Sequence, residues 1–205
     1  MISFIKLQKK HPLAPWGMLL VGLTAIAAVY LATPALQDRL HLMFIELGEY
    51  FKGGARDTST GLRISMIRVA IHLIIENPLT GVKDGVMPAL DTIASIRPFY
   101  SDELQFVITK AGTHVEILAQ GVRAGIFGLI SGTALFLVPG IIFWKKLKSP
   151  DSSVRNAANL GLVLVIGLFI AGLTIQVFNL KYTSSFYALM ITALAAQALK
   201  KKPQT

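Results

Sequence analysis

Residues 124–144 read AGIFGLISGTALFLVPGIIFW, an uncharged and predominantly apolar run. Roughly 20 such residues in a helix cross the hydrocarbon core of a bilayer, and this stretch is long enough to do so. The sequence just before it is polar, and His114 stands where that loop leads into the run. An ionisable imidazole at such a boundary is costly to keep without a use.

Three further runs have the same character: Trp16 to Leu36, Ala157 to Leu180 and Tyr182 to Leu199. Charged residues make up 15% of the chain, against about a quarter in a soluble domain, and the mean hydropathy is +0.59. The fold expected is all-α: a multi-pass membrane protein of about four transmembrane helices. A basic start followed by an apolar run also describes a secretory signal. The first run is long, however, and no clear small-x-small cleavage site precedes Asp38, so a retained span is expected. The chain has no cysteine, which excludes disulfide frameworks, thiol catalysis and cysteine-based metal sites.

The net charge of +9 raises the question of a nucleic-acid partner, and the placement of the charges argues against one. Ten of the eleven acidic residues lie between Asp38 and Glu116, with eight basic residues among them. The remaining basic residues mostly flank the apolar runs, where lysine and arginine set orientation. Lys6, Lys9 and Lys10 place the N-terminus in the cytoplasm, as do Lys145, Lys146, Lys148 and Arg155 for the loop over 145–156. Lys200, Lys201 and Lys202 place the C-terminus there too. Four spans satisfy all three constraints in a single membrane domain. They leave one large loop, residues 37–115, on the outer face, which in a bacterial inner membrane is periplasmic.

That loop is expected to be helical in part. Ile64, Ile67, Ile71, Ile74 and Ile75 recur at spacings of three and four, marking an amphipathic helix from Gly61 to Asn77. Thr58, Ser59 and Thr60 are its candidate N-caps, and Asn77-Pro78 ends it. Such a helix lies at the membrane surface or packs on the bundle. Gly81 to Gly85 reads as a turn, and a second short helix is expected between Asp91 and Phe106.

Three residues of this region could carry chemistry. His114 is either an interfacial histidine with a wet ring tip or a general base that takes a proton from a hydroxyl. Gly112, Gly121, Gly125 and Gly128 surround it in sequence and allow close approach of backbone or ligand. Glu116, two residues on, would point elsewhere on a helix and could not orient the ring directly. Arg63 opposes the dipole at the start of its helix, a place where local energetics disfavour it. It therefore suits either an anion such as phosphate or a lipid headgroup reached by snorkelling. Arg68, spaced by fours with His72 and Glu76, is either a ligand-binding arginine or the first rung of an ion-pair ladder. Gly81 to Gly85 lacks the setting of a phosphate-binding loop, and no nucleophile motif or metal-ligand spacing is present. Gly161, Gly167 and Gly172 in the third run are expected to serve helix packing. No span carries a charge in its middle, which argues against an ion-coupled carrier.

Thr60-Gly61-Leu62-Arg63, then Glu76-Asn77-Pro78-Leu79-Thr80-Gly81, then His114-Val115 followed after nine residues, Glu116 to Ala124, by Gly125-Ile126-Phe127-Gly128, together resemble the C-terminal half of the O-antigen ligase family. These are membrane glycosyltransferases of bacterial envelopes. Val115 and Ile67 stand where that family usually has a polar residue and a tryptophan, and family chains are about twice as long, so a truncated form is expected. The resemblance implies transfer of a glycan from undecaprenyl pyrophosphate to a lipid A-core sugar hydroxyl, in lipopolysaccharide biosynthesis, without cofactor or metal. His114 would assist attack by the acceptor and Arg63 would hold the pyrophosphate, making these the catalytic pair, with Arg68 binding substrate. The partners implied are the lipid-linked donor, the acceptor, membrane lipids and either a missing N-terminal half or a partner subunit, with no nucleic acid. An O-antigen polymerase or a protein O-oligosaccharyltransferase shares this donor. A non-catalytic remnant or scaffold subunit is the alternative of another class.

Overall fold

The computed structural model describes residues 14–82 and 88–200, in which helices, short 3-10 turns and connecting segments are the only elements. Lys6, Lys9, Lys10, Lys201, Lys202 and most of the expected Gly81–Gly85 turn lie outside the described residues. The helices are α1 (Ala14–Ala32), α2 (Pro34–Phe51), α3 (Ser59–Glu76), α4 (Asp102–Ala111), α5 (Glu116–Lys146), α6 (Ser152–Gly172) and α7 (Lys181–Ala198). The chain divides into two compact units between Ala55 and Arg56.

The first unit contains α1 and α2. The expected uninterrupted span from Trp16 to Leu36 does not form, because the helix breaks at Thr33-Pro34 and the two pieces meet at 91°. Proline lacks the N–H that would bond the carbonyl of Tyr30, and its ring crowds that carbonyl. Gln37 Nε2 takes over, donating to Tyr30 O at 2.9 Å and Leu31 O at 3.2 Å. Pro34 then opens α2 at a position where its missing N–H costs nothing. Residues that were expected to begin the loop are helical through Phe51.

The second unit holds α3 to α7. Thr58 is the N-cap of α3, its side chain accepting from Gly61 N–H at 3.2 Å, and Asn77 is the C-cap, so the expected helix from Gly61 to Asn77 appears as Ser59–Glu76. The face it buries is not the isoleucine stripe. Met66, Val69, Ala70 and Leu73 are buried, packing with Leu90, Ile96, Leu104, Ile108 and Val122, whereas Ile71 and Ile75 are exposed. This helix is apolar around most of its circumference, so spacing alone does not choose the stripe that packs. The expected second short helix is α4, placed later than Asp91 and capped by Ser101, which accepts from Leu104 N–H at 3.1 Å. Two 3-10 turns, Leu90–Thr92 and Arg97–Phe99, precede it.

Helix α5 is two helices joined by a sharp reversal. Ala124 (φ −142°) and Gly125 (φ +59°) leave helical geometry. The arm before them, residues 116–123, folds back along the arm after them, residues 126–146. A side chain at Gly128 would run into the Gln120 carbonyl, and one at Gly132 would meet Gln120 Cβ at 3.2 Å and Ile117 Cα at 3.7 Å. The pairing of 120 with 128 and of 117 with 132 centres the hairpin on Ala124-Gly125. Only the second arm retains the uncharged run of the expected span.

Among the described residues, two helices could cross a membrane by length and composition, α5 and α6, or up to three if the bent α1–α2 pair is one span. The expected third span ends at Gly172 and not at Leu180. The expected fourth is present as α7, but Lys181, Thr183, Ser184 and Ser185 make its first turns too polar for it to be counted with the others. Phe136, Phe143, Ala157, Ala158, Val165, Val177 and Ala198 form the core that α5, α6 and α7 share. Gly161 accepts the Phe143 ring against its backbone, and Gly172 lies by Phe136 and Glu116. Gly167 faces open space, so two of the three glycines expected to pack do so.

Candidate functional site

Helix α4 ends at Gly112, whose φ of +71° turns the chain and whose N–H donates to Ile108 O at 2.9 Å. A side chain here would collide with the Gln176 side chain. Thr113 follows, buried, and then His114, with φ of +61°. A non-glycine residue in the left-handed region is uncommon, and such strain persists only where surrounding contacts enforce it. Val115 returns to extended geometry and becomes the N-cap of α5.

His114 is half-buried, and its Nδ1 lies 3.4 Å from Thr174 O. A carbonyl can only accept, so this hydrogen bond requires the proton on Nδ1 and leaves the lone pair on Nε2. Thr174 begins the segment that links α6 to α7, and the end of α4 and the first arm of α5 together hold that segment. Gln176 Nε2 donates to Ala111 O at 3.3 Å. Phe178 N–H donates to Glu116 Oε2 at 2.9 Å. Arg123 Nη2 donates to Gln176 Oε1 at 3.0 Å and to Asn179 Oδ1 at 3.3 Å. Because α6 ends early, Thr174 reaches His114, and Gln176 and Asn179 reach Ala111 and Arg123.

Glu116 is completely buried, and its other oxygen accepts from Gln120 Nε2 at 2.6 Å. As its position on the helix implied, it has no hydrogen bond to His114; it holds the wall against which the histidine rests. Replacing Glu116 by alanine leaves the Phe178 N–H buried without an acceptor and opens a cavity. Unsatisfied polar groups and lost packing together cost about 3–5 kcal/mol. Glu116→Gln keeps an oxygen for Phe178 and is expected to lose much less. Thermal unfolding in detergent micelles checks the order, and equal losses in both variants would contradict it.

Arg63 lies on the exposed side of α3 and has no hydrogen-bonded or ionic partner among the described residues. Helices α3 and α5 meet at their reversal: Ile126 N–H donates to Pro78 O and Val82 N–H to Val122 O, both at 2.7 Å. Ile74 of α3 touches the Gly121 position. Arg63 and His114 stand towards the opposite ends of the two helices, away from that junction, and no hydrogen bond or ion pair joins them. Arg68 is exposed, with its guanidinium carbon 4.9 Å from the centroid of the Phe99 ring. Of the expected ladder, His72 Nε2 pairs with Glu76 Oε1 at 2.9 Å and with Ser95 Oγ at 2.7 Å. Arg123 is not among the candidates read from the sequence. The signal that could have singled it out is its isolation, as the one charged residue in 117–144.

The model of the O-antigen ligase family matches residues 1–132, which extends the motif-level resemblance of 61–128 to the first apolar run and through Gly132. None of the curated proteins matches the chain.

Proposed function

Since the chain belongs to the O-antigen ligase family, we propose that it transfers a glycan from undecaprenyl pyrophosphate to a sugar hydroxyl of the lipid A core. The observation that carries this reading is the tie between His114 Nδ1 and the Thr174 carbonyl, which leaves Nε2 as a hydrogen-bond acceptor. In the proposed step the acceptor hydroxyl oxygen bonds to the anomeric carbon of the donor while its proton passes to Nε2. The bond from that carbon to the pyrophosphate oxygen breaks, and the pyrophosphate leaves on its polyprenyl chain. Arg63, exposed and without a hydrogen-bonded or ionic partner among the described residues, offers the guanidinium fork that neutralises the charge developing on it. Arg68 binds substrate beside it. A polymerase or a protein O-oligosaccharyltransferase would use the same donor chemistry, and identification of the glycosylated product separates them from a ligase.

The topology that suits this reading has four spans in a bacterial inner membrane, with both termini cytoplasmic and residues 37–115 periplasmic. In it the basic flanks Lys145, Lys146 and Lys148 face the cytoplasm.

Complementation of a ligase-deficient bacterium that carries a matching O-antigen pathway tests the proposal, with the lipopolysaccharide ladder as readout. The chain is expected to restore the ladder, and Arg63→Ala to abolish it at equal membrane insertion. No ladder from the inserted wild-type chain, or an undiminished one from Arg63→Ala, removes the respective assignment.

A further inference from the structure

Against the Gly112-Thr113 turn that leads into His114 lies a polar pocket of about 150 Å³ that none of the catalytic assignments uses. Its lining includes Lys110 from the end of α4, Thr113, Arg123, and Gln176 and Asn179 from the α6–α7 segment. Two features make it a built site. The Thr113 hydroxyl is buried, with the residue only 1% exposed, and has no hydrogen-bond partner among the described residues. Buried polar groups are nearly always paired, so an orphan hydroxyl lining a cavity points to a ligand that completes it. The Arg123 guanidinium bonds Gln176 and Asn179 through Nη2 alone, which leaves its Nη1 and Nε donors unused among the described residues. Lys110 adds a second cation, and no described lining residue is acidic. Lys110 and Arg123 are both exposed, so what favours an anion over water alone is that the two cations line the same pocket as the orphan hydroxyl.

We propose that this pocket is an oxyanion site that holds a phosphoryl group carried on the acceptor sugar, separate from the donor pyrophosphate assigned to Arg63. The volume supports a group of this size, since a cavity of about 150 Å³ accommodates a six-atom ring. Two cations match a phosphate dianion, and the threonine hydroxyl donates to one of its oxygens. The location supports the acceptor over the donor: Thr113 adjoins His114, whose Nε2 serves the acceptor hydroxyl, whereas Arg63 stands on another helix. A phosphate anchored here holds the acceptor sugar beside the base and makes phosphorylated acceptors the preferred ones.

The inference rests on the ligase reading, and direct binding keeps the two separable. The probes are glucose 6-phosphate, glucose and farnesyl pyrophosphate, titrated calorimetrically into the full chain in detergent micelles. Glucose 6-phosphate is expected to bind and glucose not to, with affinity falling as salt is raised. Arg123→Gln also releases Gln176 and Asn179, so the exposed Lys110 carries the test: Lys110→Gln weakens glucose 6-phosphate by about tenfold. Thr113→Val removes the hydroxyl at nearly constant shape and weakens the same probe; a hydroxyl without a ligand would leave binding unchanged. Arg63→Gln is expected to spare glucose 6-phosphate and to weaken farnesyl pyrophosphate. The proposal is overturned by glucose 6-phosphate binding no tighter than glucose, or by unchanged affinity in Lys110→Gln and Thr113→Val. It is also overturned if Lys110→Gln weakens only farnesyl pyrophosphate, which would make the pocket a donor site. Intact binding with no lipopolysaccharide ladder removes the ligase reading and leaves the oxyanion site standing.

Discussion

Replacing His114 by alanine is expected to lower glycan transfer by about a hundred- to ten-thousandfold, the range over which a positioned general base acts. The structure supplies the control that separates chemistry from folding. His114 has φ of +61°, and asparagine is among the side chains that tolerate this region best. His114→Asn is therefore expected to insert and unfold as the wild type does, yet to transfer as poorly as His114→Ala, because an amide takes up no proton at neutral pH. His114→Gly sharpens the contrast. Relief of a left-handed backbone contributes about 1–2 kcal/mol, so this variant should hold or gain thermal stability while losing activity. Transfer assayed with purified lipid-linked donor, alongside melting in detergent, gives both readouts. Wild-type transfer by His114→Asn would end the assignment of the imidazole as base.

The largest structural effect is expected at Gly128. A methyl group there meets the Gln120 carbonyl, a backbone atom that cannot swing aside as a side chain would. The first arm of α5 has little room to retreat. Val122 O is bonded to Val82 N–H, Arg123 to Gln176 and Asn179, and Glu116 to Phe178 N–H. Gly128→Ala must therefore pry the hairpin open, at a cost of about 1–3 kcal/mol or more for overpacking. At Gly125 the same substitution adds the left-handed penalty of about 1–2 kcal/mol to a collision with the Pro78 carbonyl. Gly167→Ala, facing open space, is the matched control and is expected to stay within about 0.5 kcal/mol of wild type. Because the first arm carries Glu116 and follows directly from His114, Gly128→Ala should abolish transfer and expose residues 116–123 to proteolysis. A Gly128→Ala protein that melts and resists protease like the Gly167→Ala control would refute the hairpin.

These two predictions rest on different kinds of legibility. The polar and apolar signals local to an element could be read directly: the Thr58 cap and the Asn77-Pro78 stop delimit α3 to within two residues at its start and one at its end. The spacing from His114 to Gly125 and Gly128 was legible as a pattern, but its mechanical meaning was not. Gly121, Gly125 and Gly128 read from the sequence as room for backbone or ligand near His114, and only the reversal at Ala124-Gly125 shows that the backbone Gly128 admits is the other arm of the same helix. The break of the first apolar run was available in principle, since Pro34 sits within it, but hydropathy averaged over the run conceals a single missing N–H.

The sequence by itself determined that this chain is helical and apolar enough for a membrane, where α3 starts and stops, and that His114 precedes glycines at a fixed spacing. Those properties depend on neighbours within a few residues, through capping, spacing and hydropathy. Tertiary structure alone decided that Met66, Val69, Ala70 and Leu73 are the packed stripe of α3, and that α5 doubles back. It alone brought Thr174 to His114, Phe178 to Glu116, and Gln176 and Asn179 to Arg123. The partners in these contacts are more than fifty residues apart in the chain, and one apolar helix face or one polar linker residue is locally as good as another. Which of them meet is chosen by the packing of the whole unit, where each buried polar group must find its partner.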